Sequence, residues 1–413
     1  MSFPRYPTYK PSGVEWLGEV PGHWRIQRLK FLCDIQTGSR DTENAVDEGE
    51  FPFFVRSQIV ERIDSCAFDC EAVLTAGDGA GVGKVFHHYT GPFDFHQRVY
   101  MLNNFRGVSG RFIYHYLREN FYKVALEGGA KSTVDSLRRP MFTNFAVALP
   151  PEDEQDALIA LVDAESARID ALVAEQERLI ELLREKRQAV ISHAVTKGLD
   201  PNVAMKDSGV EWLGDVPAHW PRTRLKALFR QEKRQNFPDR PVLSVYRDYG
   251  VIYKDSRTDN INKTPEDISG YQLVQPGDLV VNKMKSWQGS LGISAVEGIT
   301  SPDYAVFTPH HSAHSDFLHH LLRCQAMVTV YRGISNGIRL DQWRLEPDVF
   351  LGLPVFLPPP AEQAAIVGRL GSLAEEYETL ITEATHAITL LQERRSALIT
   401  AAVTGQIDVR GLA

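Results

Sequence analysis

The chain has 413 residues, of which 43% are hydrophobic, and a formal net charge of −8. This composition is typical of a folded protein of two or three domains, and it excludes a collagen or a disordered chain. There is no run of about 18 apolar residues, and the opening MSFPRYPTYK lacks the apolar core of a signal peptide, so we expect a cytoplasmic protein without a membrane span. The four cysteines form no CxxC pair and are expected to be reduced thiols.

The negative charge is concentrated in two short segments. Residues 151–200 contain 6 basic and 12 acidic side chains, and residues 361–413 contain 4 and 7. The long segments are balanced, with 17 of each sign in residues 1–150 and 18 basic against 17 acidic in residues 201–360. Because binding follows the local potential, the net charge does not exclude nucleic acid as a partner of the long segments.

The first predicted element is an opening segment that recurs. SGVEWLGEVPGHW, Ser12 to Trp24, returns as SGVEWLGDVPAHW at Ser208 to Trp220, with 11 of 13 positions identical. A segment that read two different ligands would have no reason to be identical, so we assign it to a shared frame. Its tryptophans either pack in each core, which we favour, or present a common surface to a partner.

The segment that follows mixes short apolar runs with turn residues. PFFVRSQIV and RVYMLN are typical of strands, whereas the spacing of Phe112, Tyr116 and Leu117 indicates a helix. GDGAGVGKV, Gly77 to Val85, resembles a phosphate-binding loop, but Asp78 stands where the first glycine is required and Val85 where Ser or Thr would hold magnesium. We therefore interpret it as a glycine-rich turn.

Two charged segments follow the mixed ones and are predicted to be long helices. Each begins after a Pro-Pro pair and ends near a glycine, Gly198 or Gly405. A 3-4 spacing defines an apolar seam in both, which favours antiparallel helix–helix packing; pairing with another protein or a second copy is the alternative. The apolar seam residues are Leu158, Val162, Ile169, Leu172, Leu179, Leu183 and Val190, then Ile366, Leu370, Leu373, Tyr377, Leu380, Leu391 and Leu398.

The second mixed segment repeats the plan of the first. PVLSVYR, GVIYK, DLVVNKM and YAVFTP are typical of strands, and Phe317, Leu318, Leu321 and Leu322 indicate a helix. The predicted fold is α+β, with two strand-rich α/β domains and two long antiparallel coiled-coil helices, arranged as an internal duplication with pseudo-twofold symmetry. The predicted boundaries are 1–150 and 201–360 for the domains and 151–200 and 361–413 for the helices.

Motifs of catalysis and metal binding are missing from the sequence. It contains no HExxH, GxSxG or Asn-Pro-Pro-Tyr motif and no Cys/His pairing at zinc-finger spacing. We predict no catalytic residue, metal site or cofactor, and we interpret the histidine clusters at 87–96 and 310–320 as loop or surface residues.

Polar, basic and aromatic side chains remain as candidates in the parts that differ between the halves. Lysine and arginine suit phosphate, glutamine can pair with adenine, and an indole offers a stacking surface. Each of these residues alone is equally well explained as a solvated surface group. The DNA-binding candidates are Arg56, Ser57, Gln58, Lys84, Gln97, Arg98, Lys131 and Ser132, then Arg247, Lys283, Lys285, Trp287, Gln288, Arg339 and Gln342.

Several motifs together resemble a known family. WLGxVPxHW and LPPxxEQ each occur twice, and MKSWQGSLG and the helix ends ELLREKRQAVISHAVTKGLD and LLQERRSALITAAVTGQIDV accompany them. Over nearly its whole length the chain resembles the DNA-specificity subunit of type I restriction-modification systems.

The resemblance implies a function that agrees with the candidates above. Each target-recognition domain would read one half of a bipartite, asymmetric site in double-stranded DNA, and the helices would set the gap. The partners would be two copies of the adenine methyltransferase subunit and ATP-dependent restriction and translocase subunits, and this subunit would not itself be an enzyme. The alternatives are an enzyme with its own nuclease or methylase centre, and a coiled-coil scaffold without DNA contact.

Overall fold

The computed structural model describes residues 3–127, 137–247, 249–257, 264–337 and 343–411. The chain forms two compact units, the first comprising Met1–Glu177 and His386–Ala413 and the second Arg178–Thr385. The unit boundaries fall within the two long helices, so each long helix contributes to both units.

The first unit is built from short strands and one longer helix. Its strands are β1 (Tyr9–Pro11), β2 (Glu19–Pro21), β3 (Arg25–Arg28), β4 (Asp34–Thr37), β5 (Phe51–Phe54), β6 (Glu61–Ile63), β7 (Phe68–Ala76), β8 (Phe86–Phe95), β9 (Val99–Asn103) and β10 (Ala146–Leu149). Its helices are α1 (Gly110–Glu127), α2 (Arg139–Thr143) and the beginning of α3 (Glu152–Lys197).

A six-stranded sheet of order β4-β9-β7-β8-β5-β6 forms the body of the first unit. Its pairings are antiparallel except for β5 with β8, where Phe53 and Phe54 run parallel to Asp94 and Phe95. Helix α1 packs on β7 and β8. Phe112 belongs to the core beneath this helix, which confirms the helix predicted from its aromatic spacing.

The second unit repeats these elements with shorter strands. Its strands are β11 (Met205–Asp207), β12 (Asp215–Pro217), β13 (Arg222–Arg224), β14 (Phe229–Gln231), β15 (Leu243–Tyr246), β16 (Gly250–Tyr253), β17 (Gln272–Val274), β18 (Leu279–Asn282), β19 (Leu291–Ile293), β20 (Gly298–Thr300), β21 (Tyr304–Pro309) and β22 (Pro354–Phe356). Its helices are α4 (Leu225–Leu228), α5 (Ser315–Arg323), α6 (Gln325–Ile334), α7 (Pro347–Leu351) and the beginning of α8 (Pro360–Val403).

The sheets of the two units share one strand order. The second has a four-stranded sheet of order β14-β21-β18-β19, which corresponds to β4-β9-β7-β8 of the first. In both, the mixed segment is closed by a strand pair that joins its two ends: β3 pairs with β10, and β13 pairs with β22. The sequence repeat is therefore a repeat of fold.

The long helices span Glu152–Lys197 and Pro360–Val403. Glu152, Asp153 and Glu154 occupy the first turn of α3, where negative charge is favourable. Gly198 and Gly405 follow the two helices with φ of +82° and +79°, the left-handed conformation that favours glycine.

Within each unit, the beginning of one long helix packs against the end of the other. In the first unit, Leu158 and Val162 share a core with Leu398 and Ala402. In the second, Ile366 and Leu370 share a core with Val195. The predicted α+β fold, with two strand-rich domains and long antiparallel helices, is confirmed.

Burial along the predicted seam is uneven. The seam residues buried in the two units are Leu158, Val162, Ile169, Ile366, Leu370, Tyr377 and Leu398. Leu183, Val190, Leu373 and Leu391 are half-buried, and Leu172, Leu179 and Leu380 are 40%, 43% and 46% exposed. Two helices alone can cover only one face of each other, so side chains with no third element beside them keep part of their surface exposed.

Candidate nucleic-acid interface

In each unit, one glutamate at the start of the long helix forms hydrogen bonds with the opening segment. Glu154, from the first LPPxxEQ, accepts from Trp24 Nε1 at 3.0 Å and from the Tyr6 hydroxyl at 2.9 Å, and it lies 2.6 Å from His23 Nε2. Glu362 accepts from Trp220 Nε1 at 3.1 Å and lies 2.7 Å from His219 Nε2. The opening segment is therefore fixed to the start of the long helix in both units.

The adjacent glutamines tie the helix start to the rest of the unit. The Gln155 carbonyl oxygen accepts from the backbone N–H of Ser109 at 3.0 Å, and its amide donates to the carbonyls of Gly107 and Pro150. Gln363 accepts from the backbone N–H of His314 at 2.7 Å. Both glutamine side chains are buried, which makes these bonds part of the core.

The opening tryptophans are core residues. Trp24 and Trp220 are 0% and 1% exposed, and Trp16 stacks on Phe145 with ring centroids 5.4 Å apart. This agrees with the predicted packing role of the opening segment. We use the word frame for residues 12–28, 146–155, 208–224 and 354–363.

The first unit presents a hairpin tip beside a glycine-rich turn. The first hairpin tip, residues 55–60, connects β5 to β6, and the first turn, residues 77–83, connects β7 to β8. A Cβ added at Gly81 would lie 2.5 Å from the carbonyl oxygen of Arg56, so only glycine lets the tip approach the turn this closely. A strand follows the turn, which confirms that GDGAGVGKV is a turn and not the loop-to-helix element that binds phosphate.

A carboxylate of the first turn orders two predicted arginines. Asp78 accepts from Arg56 Nη1 at 2.9 Å and from Arg98 Nη1 at 3.1 Å. Both guanidinium groups remain exposed, with remaining donors directed to solvent. Gln97 is exposed nearby and donates to Asp41, whose pKa is lowered mainly by the backbone N–H of Thr42.

The second unit has a hairpin tip and a turn in corresponding places. The second hairpin tip, Arg247 and Tyr249, connects β15 to β16, and the second turn, residues 283–289, connects β18 to β19. A Cβ added at Gly289 would lie 3.7 Å from Cγ of Arg247, so tip and turn are again adjacent. Arg323 supports this tip from below by donating to the carbonyl oxygens of Arg247 and Leu291.

The second turn carries most of the predicted residues of its unit. Lys285 and Gln288 are exposed. Trp287 is half-buried: its indole N–H donates to the Met284 carbonyl at 3.0 Å, and its ring lies 5.7 Å from that of Trp343. Trp287 therefore orders the turn and offers only part of its ring for stacking.

Lys283 lies on the side of this turn that faces other cations. Its ammonium donates to the Pro302 carbonyl at 2.8 Å. Its pKa is lowered, first by partial burial and then by Arg344 and other neighbouring charges including Lys233. Asp303 and Glu346 oppose this shift, so the charges around Lys283 are mixed, and its ammonium is suited to phosphate.

The remaining predicted residues divide between surface positions and segments outside the description. Ser57, Gln58 and Lys84 are exposed on the first tip and turn. Lys131, Ser132, Arg339 and Gln342 lie outside the described residues. The structure thus brings Arg56, Ser57, Gln58, Lys84 and Arg98 together in one unit, and Arg247, Lys285 and Gln288 in the other.

Sequence reasoning missed aromatic and apolar residues at the tips. Arg257 lies over the ring of Tyr249 at 4.7 Å and over that of Tyr246 at 5.3 Å. Ile59 projects from the first tip with 77% of its surface exposed. The available signal was the hairpin pattern, since each tip follows an apolar run and contains an arginine.

Two other features are absent from the described ranges. No group of three or more His, Cys, Asp or Glu side chains there is placed to hold a metal ion. In the same part of the chain, no helix combines the length and apolarity needed to cross a membrane.

The duplicated frame, the matching sheets and the paired long helices define a class: an internally repeated α+β protein with two corresponding, chemically unlike surfaces. Comparison with known proteins shows which proteins the chain is similar to. Residues 21–180 match the family of the type I restriction modification DNA specificity domain. The specificity subunit of the type I restriction enzyme EcoDI of Escherichia coli is 26% identical over 420 residues, covering 95% of this chain and 90% of the relative.

Further similar proteins are of the same kind. The StySPI specificity subunit of Salmonella potsdam is 23% identical, covering 93% of this chain and 85% of the relative. A solved chain from work on complex assembly and conformational transition of the type I R-M system has a TM-score of 0.63 at 16% identity, covers 94% of this chain and 99% of its own length, and shows the shared fold. The chain is therefore similar, over nearly its whole length, to specificity subunits of type I restriction enzymes.

Proposed function

We propose that this chain binds double-stranded DNA and that each domain reads one half of a bipartite, asymmetric site through its hairpin tip and adjoining turn. The two long helices set the gap between the half-sites. By this reading the chain directs adenine methylation and restriction, which partner subunits carry out in the cytoplasm.

One observation carries the proposal: corresponding surfaces on a repeated frame bear unlike side chains. The first turn is GDGAGVG and the second is KMKSWQG, although both connect corresponding strands. A structural role would be served equally well by two copies of one turn. Two half-sites of different sequence require two different readers.

The chemistry of each surface fits the major groove. Arg56 and Arg98 present planar donors that match the O6 and N7 acceptors of guanine, and Asp78 holds both in place before binding. Gln288 has the donor and acceptor that pair with adenine. Lys283 and Lys285 suit phosphates, which position the protein without reading sequence.

The frame is the part suited to identical partners. Its two copies have the same clamp of tryptophan, imidazole and glutamate, so they can offer the same surface twice. We infer that two copies of the adenine methyltransferase subunit bind there, and that the ATP-dependent restriction and translocase subunits join this assembly.

The test is a binding measurement on the complex with its methyltransferase subunit. The specific duplex is defined by methylome sequencing of the host, since modified adenines mark both half-sites. Specific DNA should bind far more tightly than a shuffled duplex of the same composition, and equal binding would refute the proposal. Gln288→Ala should lose discrimination at one base pair by roughly 1 to 3 kcal/mol.

Two lysine substitutions, at Lys285 and Lys226, distinguish a phosphate contact from an effect of total charge. Lys285→Ala should weaken binding to specific and shuffled DNA alike and reduce the salt slope by about 1. Lys226→Ala removes the same charge from an exposed position of α4 in the same unit, away from the tip and the turn, and should change neither quantity. An equal effect of both variants would show that only total charge matters.

A further inference from the structure

The two most exposed large hydrophobic side chains among the described residues lie at corresponding places. Ile59 is 77% exposed and Tyr249 is 60% exposed. The first belongs to the first hairpin tip and the second to the second hairpin tip, each following an arginine, Arg56 or Arg247. Isolated exposed apolar residues are common, but this coincidence of place is not explained by chance scatter over the surface.

The correspondence of the tips rests on strand pairing. Strand β5, which leads into the first tip, runs parallel to the end of β8. Val242, immediately before β15, forms a parallel bridge to Ile299 of β20. The first hairpin therefore attaches in parallel to β8, which follows the first turn, and the second attaches in parallel to β20, the second strand after its turn. In both units the tip lies beside the turn.

The first tip is held in one conformation. The Ser57 hydroxyl donates to the Ile59 carbonyl at 2.8 Å and accepts from the Ile59 backbone N–H at 3.2 Å. His87 Nε2 lies 3.1 Å from the Ser57 carbonyl, and Arg56 is fixed by Asp78 at 2.9 Å. The Ile59 side chain is thus presented on a rigid loop, which lowers the entropy that binding must overcome.

The neighbours of Ile59 indicate the kind of surface it meets. Arg56 suits guanine and Gln58 suits adenine, and both are exposed on the same tip. The apolar group that the major groove displays is the 5-methyl group of thymine. A β-branched aliphatic side chain among these donors is complementary to that methyl group.

We propose that Ile59 is a specificity-determining residue that contacts the 5-methyl group of a thymine in the half-site read by the first domain. The inference rests on the proposed function, since it assumes that the first hairpin tip enters the major groove. It adds a recognition element that polar chemistry alone does not provide.

The experiment replaces each thymine of the first half-site, one at a time, by uracil, which removes only the methyl group. Binding of the complex with its methyltransferase subunit is measured for the wild type, Ile59→Ala and Val46→Ala. Val46 is also an exposed aliphatic residue of the first unit, 43% exposed, and lies outside the tip. At one position, uracil should weaken wild-type binding about fourfold, the value of one buried methyl-sized group.

Two outcomes decide the proposal. If Ile59 makes the contact, Ile59→Ala binds thymine and uracil duplexes equally at that position, whereas Val46→Ala keeps the fourfold preference. If no uracil substitution weakens binding, or if Ile59→Ala keeps the preference, the inference is wrong. Failure of the proposed function is distinguishable, because the wild type would then bind specific and shuffled duplexes alike.

Discussion

Glu154→Ala should destabilise the frame of the first unit much more than Glu362→Ala destabilises the frame of the second. The Glu154 side chain is 6% exposed and that of Glu362 is 29% exposed. Glu154 has three partners, Tyr6, His23 and Trp24, of which the last is fully buried. The two positions have the same role in the repeat but differ in burial and in number of partners.

The magnitude follows from the donors left without an acceptor. A buried donor without a partner costs about 1 to 3 kcal/mol, and a hydrogen bond to a charged group is at the upper end. Glu154→Ala strands the indole N–H of Trp24 and the hydroxyl of Tyr6, which gives about 3 to 5 kcal/mol. Glu362→Ala strands one indole in a site that water reaches, and about 1 to 2 kcal/mol is expected.

Hydrogen exchange read by mass spectrometry assigns the loss to each unit. Peptides over residues 17–24 should exchange faster in Glu154→Ala, and those over residues 213–220 in Glu362→Ala, with the larger change in the first. Glu154→Gln keeps one acceptor oxygen but places an amide N–H₂ group beside the remaining donors, so its loss of stability should be intermediate. Equal losses for the two alanine variants, or a larger one at Glu362, would refute the argument from burial.

Other expectations follow from the same contacts. Gly405→Ala places a Cβ 2.3 Å from Pro21 Cδ, whereas the nearest atom to a Cβ at Gly198 is 3.3 Å away, so that Gly198→Ala costs only the left-handed φ, about 1 kcal/mol. Gly405→Ala should therefore lower the melting temperature more than Gly198→Ala, and equal shifts would contradict this. Burial, reinforced by Arg323, lowers the pKa of His319 to about 4. The free energy of unfolding should therefore fall by on the order of 2 to 3 kcal/mol as the pH drops from above 6.5 toward 4. His319→Gln should flatten this pH dependence, as measured by urea titrations. Inserting four residues in both long helices adds about 6 Å and should lengthen the methylated gap by roughly two base pairs; an unchanged gap in the methylome would rule out the spacer role.

The frame could be predicted from the sequence because its signals are local and repeated. Helix starts, helix ends and short apolar runs depend on neighbours in sequence, and long helices are present at Glu152–Lys197 and Pro360–Val403. The bond between Trp24 and Glu154 spans 130 positions. Both partners were visible as repeats, but only the fold shows that they meet.

The surfaces were harder to predict because side-chain exposure depends on long-range pairing. Arg56 and Asp78 are 22 positions apart, and their contact requires β5 to lie beside the end of β8. Ile59 has the composition of a core residue, so sequence alone gives it no reason to be exposed. Its exposure follows from its place on the tip between β5 and β6.

The closing strand pairs explain how one frame can hold two unlike surfaces. Strands β3 and β10 bring the ends of the first mixed segment together, and β13 and β22 do the same in the second. With its ends fixed, a segment can change length at a cost that grows only slowly with the number of residues. A reader can therefore be altered between these strands without disturbing Trp24, Glu154 or their counterparts. Variation at the tips and turns should change the DNA sequence bound, whereas variation at the frame should change stability and assembly.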